Sequence, residues 1–118
     1  MKRASRSVLL AFAIMLAMSA SVRADFGAIA YSPETGQWGY SYGFDCQEDS
    51  QNDALSRCNA DDAQIAVWVE NGWAALAVGD DGAWGWGWSS SSREDAEARA
   101  LQVTDNNPRI ACWIFSGR

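Results

Sequence analysis

The sequence predicts an α+β domain made of two β-β-α-β units related by a pseudo-twofold, with antiparallel sheets and two helices. Three observations carry this. First, four blocks recur. Ala28-Ile29-Ala30-Tyr31 matches Ala75-Leu76-Ala77-Val78, and Gly36-Gln37-Trp38-Gly39-Tyr40-Ser41-Tyr42 matches Gly82-Ala83-Trp84-Gly85-Trp86-Gly87-Trp88. Asp53-Ala54-Leu55 matches Arg99-Ala100-Leu101, and Ile65-Ala66-Val67-Trp68 matches Ile110-Ala111-Cys112-Trp113. The offset drifts only from 47 to 45. Two copies are too few for a solenoid, so they form one domain. Second, aromatic residues alternate with Gly or Ser in the Trp38 and Trp84 runs, which on a strand sends rings to one face and small residues to the other. Third, each unit holds one segment of helical spacing.

The elements follow in order. Strand 1 surrounds Ala28 to Tyr31. Ser32-Pro33-Glu34-Thr35-Gly36 is a turn, since Pro presets φ and Gly accepts positive φ. Strand 2 is the Trp38 run. Helix one runs from about Gln47 to Cys58 on a stripe of Ala54, Leu55 and Cys58, which Gln51 interrupts. Strand 3 is Ile65 to Val69. Asn71-Gly72 between two apolar runs is a hairpin signal. Strand 4 follows, then the turn Gly79-Asp80-Asp81-Gly82 and strand 5. Helix two is the clearer helix. Ser91 or Ser92 caps it, Glu94 or Asp95 completes a capping box, and Ala96, Ala100 and Val103 form its stripe. Strand 6 is Ile110 to Phe115. The repeats span about 26–71 and 73–118.

Two-residue loops at Asn71-Gly72 and Asp80-Asp81 set an expected register. Trp68 faces Ala75; Ala77, Ala75 and Trp73 face Trp84, Trp86 and Trp88. The aromatic face of this 3-4-5 meander then carries Trp68, Trp73, Trp84, Trp86 and Trp88, with Glu70 at its edge. By the pseudo-twofold, strand 6 returns to strand 1. The expected sheet orders are therefore 2-1-6 and 5-4-3, with the helices on the glycine-bearing faces. The second aromatic face holds Phe26, Trp38, Tyr40, Tyr42, Trp113 and Phe115. The two aromatic faces either meet or line a cleft.

The first residues read as an export signal. Lys2, Arg3 and Arg6 precede an apolar run, Val8 to Met18, too short to span a bilayer. Val22-Arg23-Ala24 offers small residues for cleavage after Ala24, with Ala20 the second choice. The expected division is a signal peptide over 1–24 and one exported domain over 25–118, secreted or periplasmic, with no membrane insertion after cleavage. Of 118 residues, 94 then remain, enough for one small core. Four of the nine basic residues leave with the signal while all 15 acids stay, so the mature charge is −10. Such a surface repels phosphate backbones and disfavours nucleic acid. A basic partner fits it. No His is present and no Lys follows Ala24, which removes the usual general base and the Schiff-base amine.

The run Gly27-Ala28-Ile29-Ala30-Tyr31-Ser32, the segment Trp38-Gly39-Tyr40-Ser41-Tyr42-Gly43, Ala75-Leu76-Ala77-Val78-Gly79-Asp80, and Trp84-Gly85-Trp86-Gly87 before an Ala/Glu-rich helix resemble an exported bacterial family, domain of unknown function 4189. The resemblance covers nearly all of the mature chain. It implies a small secreted or periplasmic domain with a duplicated unit and transfers no catalytic residues. Family members carry cysteines at the helix end, the start of strand 3 and the central hairpin. Only Cys58 matches here; Ala63 and Gly72-Trp73 stand at the other places.

Candidate chemistry is sparse. Cys46, Cys58 and Cys112 permit one disulfide in an exported protein. Cys46 and Cys58 lie at opposite ends of helix one, about 18 Å apart at 1.5 Å per residue, too far to pair. Cys112, expected on the helix-facing side of strand 6, is the shared partner for Cys58 or Cys46. A cysteine nucleophile would lack a His base. Asp61-Asp62 and Asp80-Asp81 lack the alternating ligands of a calcium loop and read as turn residues, so no metal or cofactor is expected. Glu70 beside Trp73 is one carboxylate where a glycosidase needs two. The aromatic rows serve first as core, with Tyr42, Trp73 and Trp88 at strand ends partly exposed. The expected function is a non-enzymatic binding domain. It recognises a basic exported protein through an acidic, Trp-rich surface at Trp73, Trp88, Tyr42 and Glu70. A cell-wall glycan module is the alternative, and a hydrolase using Glu70 is the third reading.

Overall fold

The structure, a computed structural model, describes residues 24–117. The proposed signal segment, apart from Ala24, lies outside the described residues. Nine elements follow in order: β1 (Phe26–Tyr31), β2 (Trp38–Phe44), α1 (Gln47–Cys58), β3 (Gln64–Glu70), β4 (Gly72–Val78), a 3-10 turn (Asp80–Gly82), β5 (Trp84–Ser89), α2 (Arg93–Gln102) and β6 (Arg109–Ser116). Each unit is β-β-α-β, as the repeat requires. Among the described residues, no helix is long and apolar enough to cross a membrane.

Each helix begins differently. Ser92 caps α2, its hydroxyl accepting from the Asp95 N–H at 3.0 Å, with Glu94 and Asp95 in the first turn. That satisfies a backbone donor left orphaned at the helix start and places negative charge at the positive end of the dipole. Cys46 occupies the same place before α1 and gives no side-chain cap. Asn59 closes α1 at φ 53, its N–H bonding to the Leu55 carbonyl, a left-handed position that Asn tolerates.

The sheets are three-stranded and antiparallel, but their orders are β2-β1-β3 and β5-β4-β6. The expected orders 2-1-6 and 5-4-3 are corrected: each repeat closes its own sheet, and no strand crosses between repeats. Asn71 shows why. It is the single residue between β3 and β4, with φ 55. Its N–H donates to the Asp25 carbonyl at 2.9 Å, and its side-chain oxygen accepts from the Asp25 N–H at 3.1 Å. Asn71 is therefore a corner where the chain steps from one sheet to the next, and the hairpin expected at Asn71-Gly72 does not form. Glu70 pairs with Phe26, and Gly72 with Ser116.

The two sheets stack face to face. Ile29, Tyr31, Val67 and Val69 from one meet Ala74, Leu76, Cys112 and Ile114 from the other. Ile29 and Leu76 are fully buried, each contributing about 1.5–3 kcal/mol by the usual transfer scale. The outer faces carry the helices. Ala28 and Ala30 lie under Ala54 and Cys58 of α1; Ala75 and Ala77 lie under Ala96 and Ala100 of α2. The helices do sit on the glycine-bearing faces. A Cβ at Gly39 would stand 2.3 Å from the Cys58 nitrogen, and one at Gly87 2.4 Å from the Ala96 oxygen.

A one-residue difference in turn length reverses the expected aromatic face. Asp80–Gly82 forms a three-residue loop closed by the Gly79 N–H on the Ala83 carbonyl, with Asp81 at φ 59. Val78, Leu76 and Ala74 therefore pair with Trp84, Trp86 and Trp88, displacing the expected Ala77, Ala75 and Trp73. Because side chains alternate with period two, that slip moves the rings onto the inner, Leu76-bearing face. Matching bulges at Ala66 and Ala111 complete the pattern. They turn Ile65 and Ile110 toward the helices and keep Val67 and Cys112 inward.

Candidate functional site

The inner faces hold more aromatic surface than the opposite sheet covers. β2 and β5 are edge strands, and their rings face inward past the rim of the facing sheet. Trp86 and Trp88 remain 46% and 49% exposed, and Trp38, Tyr40 and Tyr42 remain 40%, 42% and 60% exposed. Trp84 is the exception. It is half-buried against the core, its ring 5.2 Å from Tyr31.

On one side this overhang makes a groove of about 540 Å³. Trp86 and Trp88 form one wall, and β3 from Ile65 to Glu70 forms the other. A run of consecutive strand residues along a groove means that the strand presents its edge there. Glu70, exposed, is the only charged residue in the lining. On the opposite side, Trp38, Tyr40 and Tyr42 form a ladder with ring centroids 6.0 and 6.2 Å apart. There β2 is tied to β6 by the Gly43 N–H donating to the Ser116 hydroxyl at 3.0 Å.

The expected surface is partly reassembled. Trp88 and Glu70 do line one groove. Tyr42 is exposed but belongs to the other side, on the β2 ladder. Trp73 is half-buried on the α2-facing side, with its ring 4.6 Å from Phe115, so its placement beside Trp88 is corrected. The sequence pattern places Trp86 in the interior; its exposure depends on how far β3 reaches, which no local pattern encodes.

The cysteines are free. Cys46 is exposed, Cys58 is buried beneath α1, and Cys112 is buried between the sheets. The bond expected between Cys112 and Cys58 or Cys46 is not present in this structure: Cys58 lies between α1 and the first sheet, whereas Cys112 belongs to the second sheet. Burial pushes the Cys112 thiol up to about 12. Burial, and then the nearby Asp62 carboxylate, also raises Cys58. Neither is a ready thiolate.

The acids flanking the turns act locally. Asp62 accepts from the Ser32 hydroxyl and from the Glu34 N–H at 2.9 Å, and those bonds, the Ser32 one foremost, hold it below its ordinary value. Each described arginine meets an acid: Arg57 with Asp53 at 2.8 Å, Arg93 with Glu97 at 3.3 Å, Arg99 with Asp95 at 3.1 Å and Arg109 with Asp80 at 3.5 Å. Arg93 also covers the Trp113 ring at 4.4 Å. These are surface pairs and add little to stability. They do leave the remaining acids, Glu70 among them, without a basic neighbour from this set.

Comparison with known proteins gives one match. A family model described as a domain of unknown function (DUF4189) matches residues 26–116, and the chain belongs to that family. No curated protein and no solved structure matches it.

Proposed function

We propose that this member of the DUF4189 family is an exported, non-enzymatic binding domain whose task is to recognise a partner protein. The observation that supports the reading is the pair Trp86 and Trp88, about half exposed, along the groove beside β3. Large rings left in water at a concave site are the usual anchors of protein recognition. The acid excess favours a basic partner and faster encounter with it. Glu70 is the single carboxylate in the groove, so acid–base cleavage of a glycan by two carboxylates has no second member there.

The test is capture from an exported-protein fraction at low and high salt, with the wild type against a Trp86→Ala/Trp88→Ala variant. The reading expects a basic protein held at low salt, released at high salt and lost by the variant. Equal capture by both proteins would sink it. A glycan role is the second reading, favoured by the exposed Trp38-Tyr40-Tyr42 ladder, since sugars stack on open ring faces. It expects a tryptophan fluorescence change with peptidoglycan fragments that Trp38→Ala reduces. An unchanged signal across a glycan panel removes it.

A further inference from the structure

The groove beside β3 has a second property, which rests on the recognition reading above. β3 is an edge strand, hydrogen-bonded on one side to β1 and, among the described residues, to no strand on the other. In an antiparallel pair, alternate residues turn their N–H and C=O groups away from the partner. β3 lines the groove from Ile65 to Glu70, so its unpaired edge borders that groove. The bulge at Ala66 leaves Val67 to Glu70 as the regular stretch. Edge strands in native proteins are commonly blunted by Lys, Pro, a β-bulge or a covering element, and the bulge at Ala66 blunts only the start of β3. Gln64–Glu70 contains neither Lys nor Pro.

The aromatic wall matches a strand in period. Trp86 and Trp88 are two residues apart on β5, about 6.8 Å along the strand. The side chains on one face of an added strand repeat at the same interval. A strand laid against β3 would therefore set alternate side chains on successive indoles. The charge at the site is Glu70, on a chain whose described residues hold 15 acids and whose four described arginines each meet an acid. A second copy of this chain would bring Glu70 and a like-charged surface to the same edge, which opposes self-pairing. A basic segment gains by both.

We propose that the β3 edge is a strand-addition site. Its occupant is an extended segment of the partner protein with alternating apolar residues and a basic residue beside Glu70. Main-chain bonds to Val67–Glu70 supply the affinity, and Trp86, Trp88 and Glu70 supply the choice of sequence. The opposite side is less open to this, because the Gly43–Ser116 bond already ties β2 to β6.

The experiment uses a displayed library of random heptapeptides selected on the domain, then synthetic copies of the enriched peptides. The expected peptides alternate apolar residues and carry Arg or Lys. Their binding perturbs the amide resonances of Val67 to Glu70. It weakens at least about tenfold on Trp86→Ala/Trp88→Ala, and by a similar factor when alternate peptide N–H groups are methylated. Glu70→Gln lowers affinity for the basic peptides and relaxes their selection. Peptides that bind equally well when methylated overturn strand addition, while salt-sensitive capture of a whole partner protein would leave the recognition reading standing. No enrichment over the double variant, or self-association that protects β3 amides, overturns the proposal as well.

Discussion

The two repeats share one backbone plan and bury their aromatic rows differently. Tyr31 of the first repeat crosses to the second sheet and covers Trp84. Its counterpart in the second repeat is Val78, which has no ring to offer Trp38. Trp38 leans on its own neighbour Tyr40 and stays 40% exposed. The strand ends differ as well. Gly43 bonds across to Ser116, whereas Ser89, at the matching place, spends its hydroxyl on the Ser91 and Ser92 N–H groups ahead of α2. One side of the sandwich is thus tied, and the other is left as a groove. The two sides of the sandwich differ through a few residues at matching places.

The core tests whether the repeats are energetically equivalent. Ile29→Ala and Leu76→Ala remove matched, fully buried side chains and should each cost about 2–5 kcal/mol, read by urea unfolding. Unfolding of one repeat alone would break the equivalence. The glycines come next. Gly87→Ala drives a methyl into α2 and should cost about 1–3 kcal/mol. Gly43→Ala meets no atom and pays only for its φ of 79, about 1 kcal/mol. A reversed order would refute the close approach of α2. The caps should move stability in opposite directions. Ser92→Ala should cost about 0.5–2 kcal/mol, and Cys46→Ser should gain part of that for α1, both read by thermal unfolding.

The smallest effects are in pH and reactivity. Asp62 has a depressed folded pKa, so its contribution is present above its ordinary value of 3.8 and is lost as pH falls through the lower folded value. Asp62→Asn should flatten the acid limb of a urea-midpoint profile. Cys112 has a raised folded pKa, so its contribution is full below its ordinary value near 9 and is lost as pH rises toward 12. In the native protein an aromatic disulfide reagent should titrate Cys46 promptly and reach Cys58 and Cys112 only on unfolding. Prompt reaction of Cys112 would contradict its place between the sheets.

Much of the fold was legible in the residues. The helix from Gln47 to Cys58 and the Ser92 cap follow from local spacing and capping chemistry, and the glycines beside the helices follow from alternation. The site is half legible: the sequence points to Trp88 and Glu70, while its pattern places Trp86 in the interior and Trp73 at the rim. The misplacement of Trp73 beside Trp88 traces to one turn, and the exposure of Trp86 to how far β3 reaches. Asp80-Asp81 suits a two-residue loop as well as the three-residue loop that forms, and a single added residue moves the three β5 rings to the other face.

By itself, then, the sequence determined the local and repeated features: two units, their elements, their caps, and rows of rings opposed to rows of small residues. These depend on interactions within a turn or along one strand. The tertiary structure decided which strands pair, which face the rings occupy and which of them stay in water. Pairing β3 with β4 or with β1 satisfies the same alternation, so local pattern is neutral between them. The choice rests on the Asn71 corner against Asp25, and on the match of Ile29, Val67, Leu76 and Cys112 across two sheets.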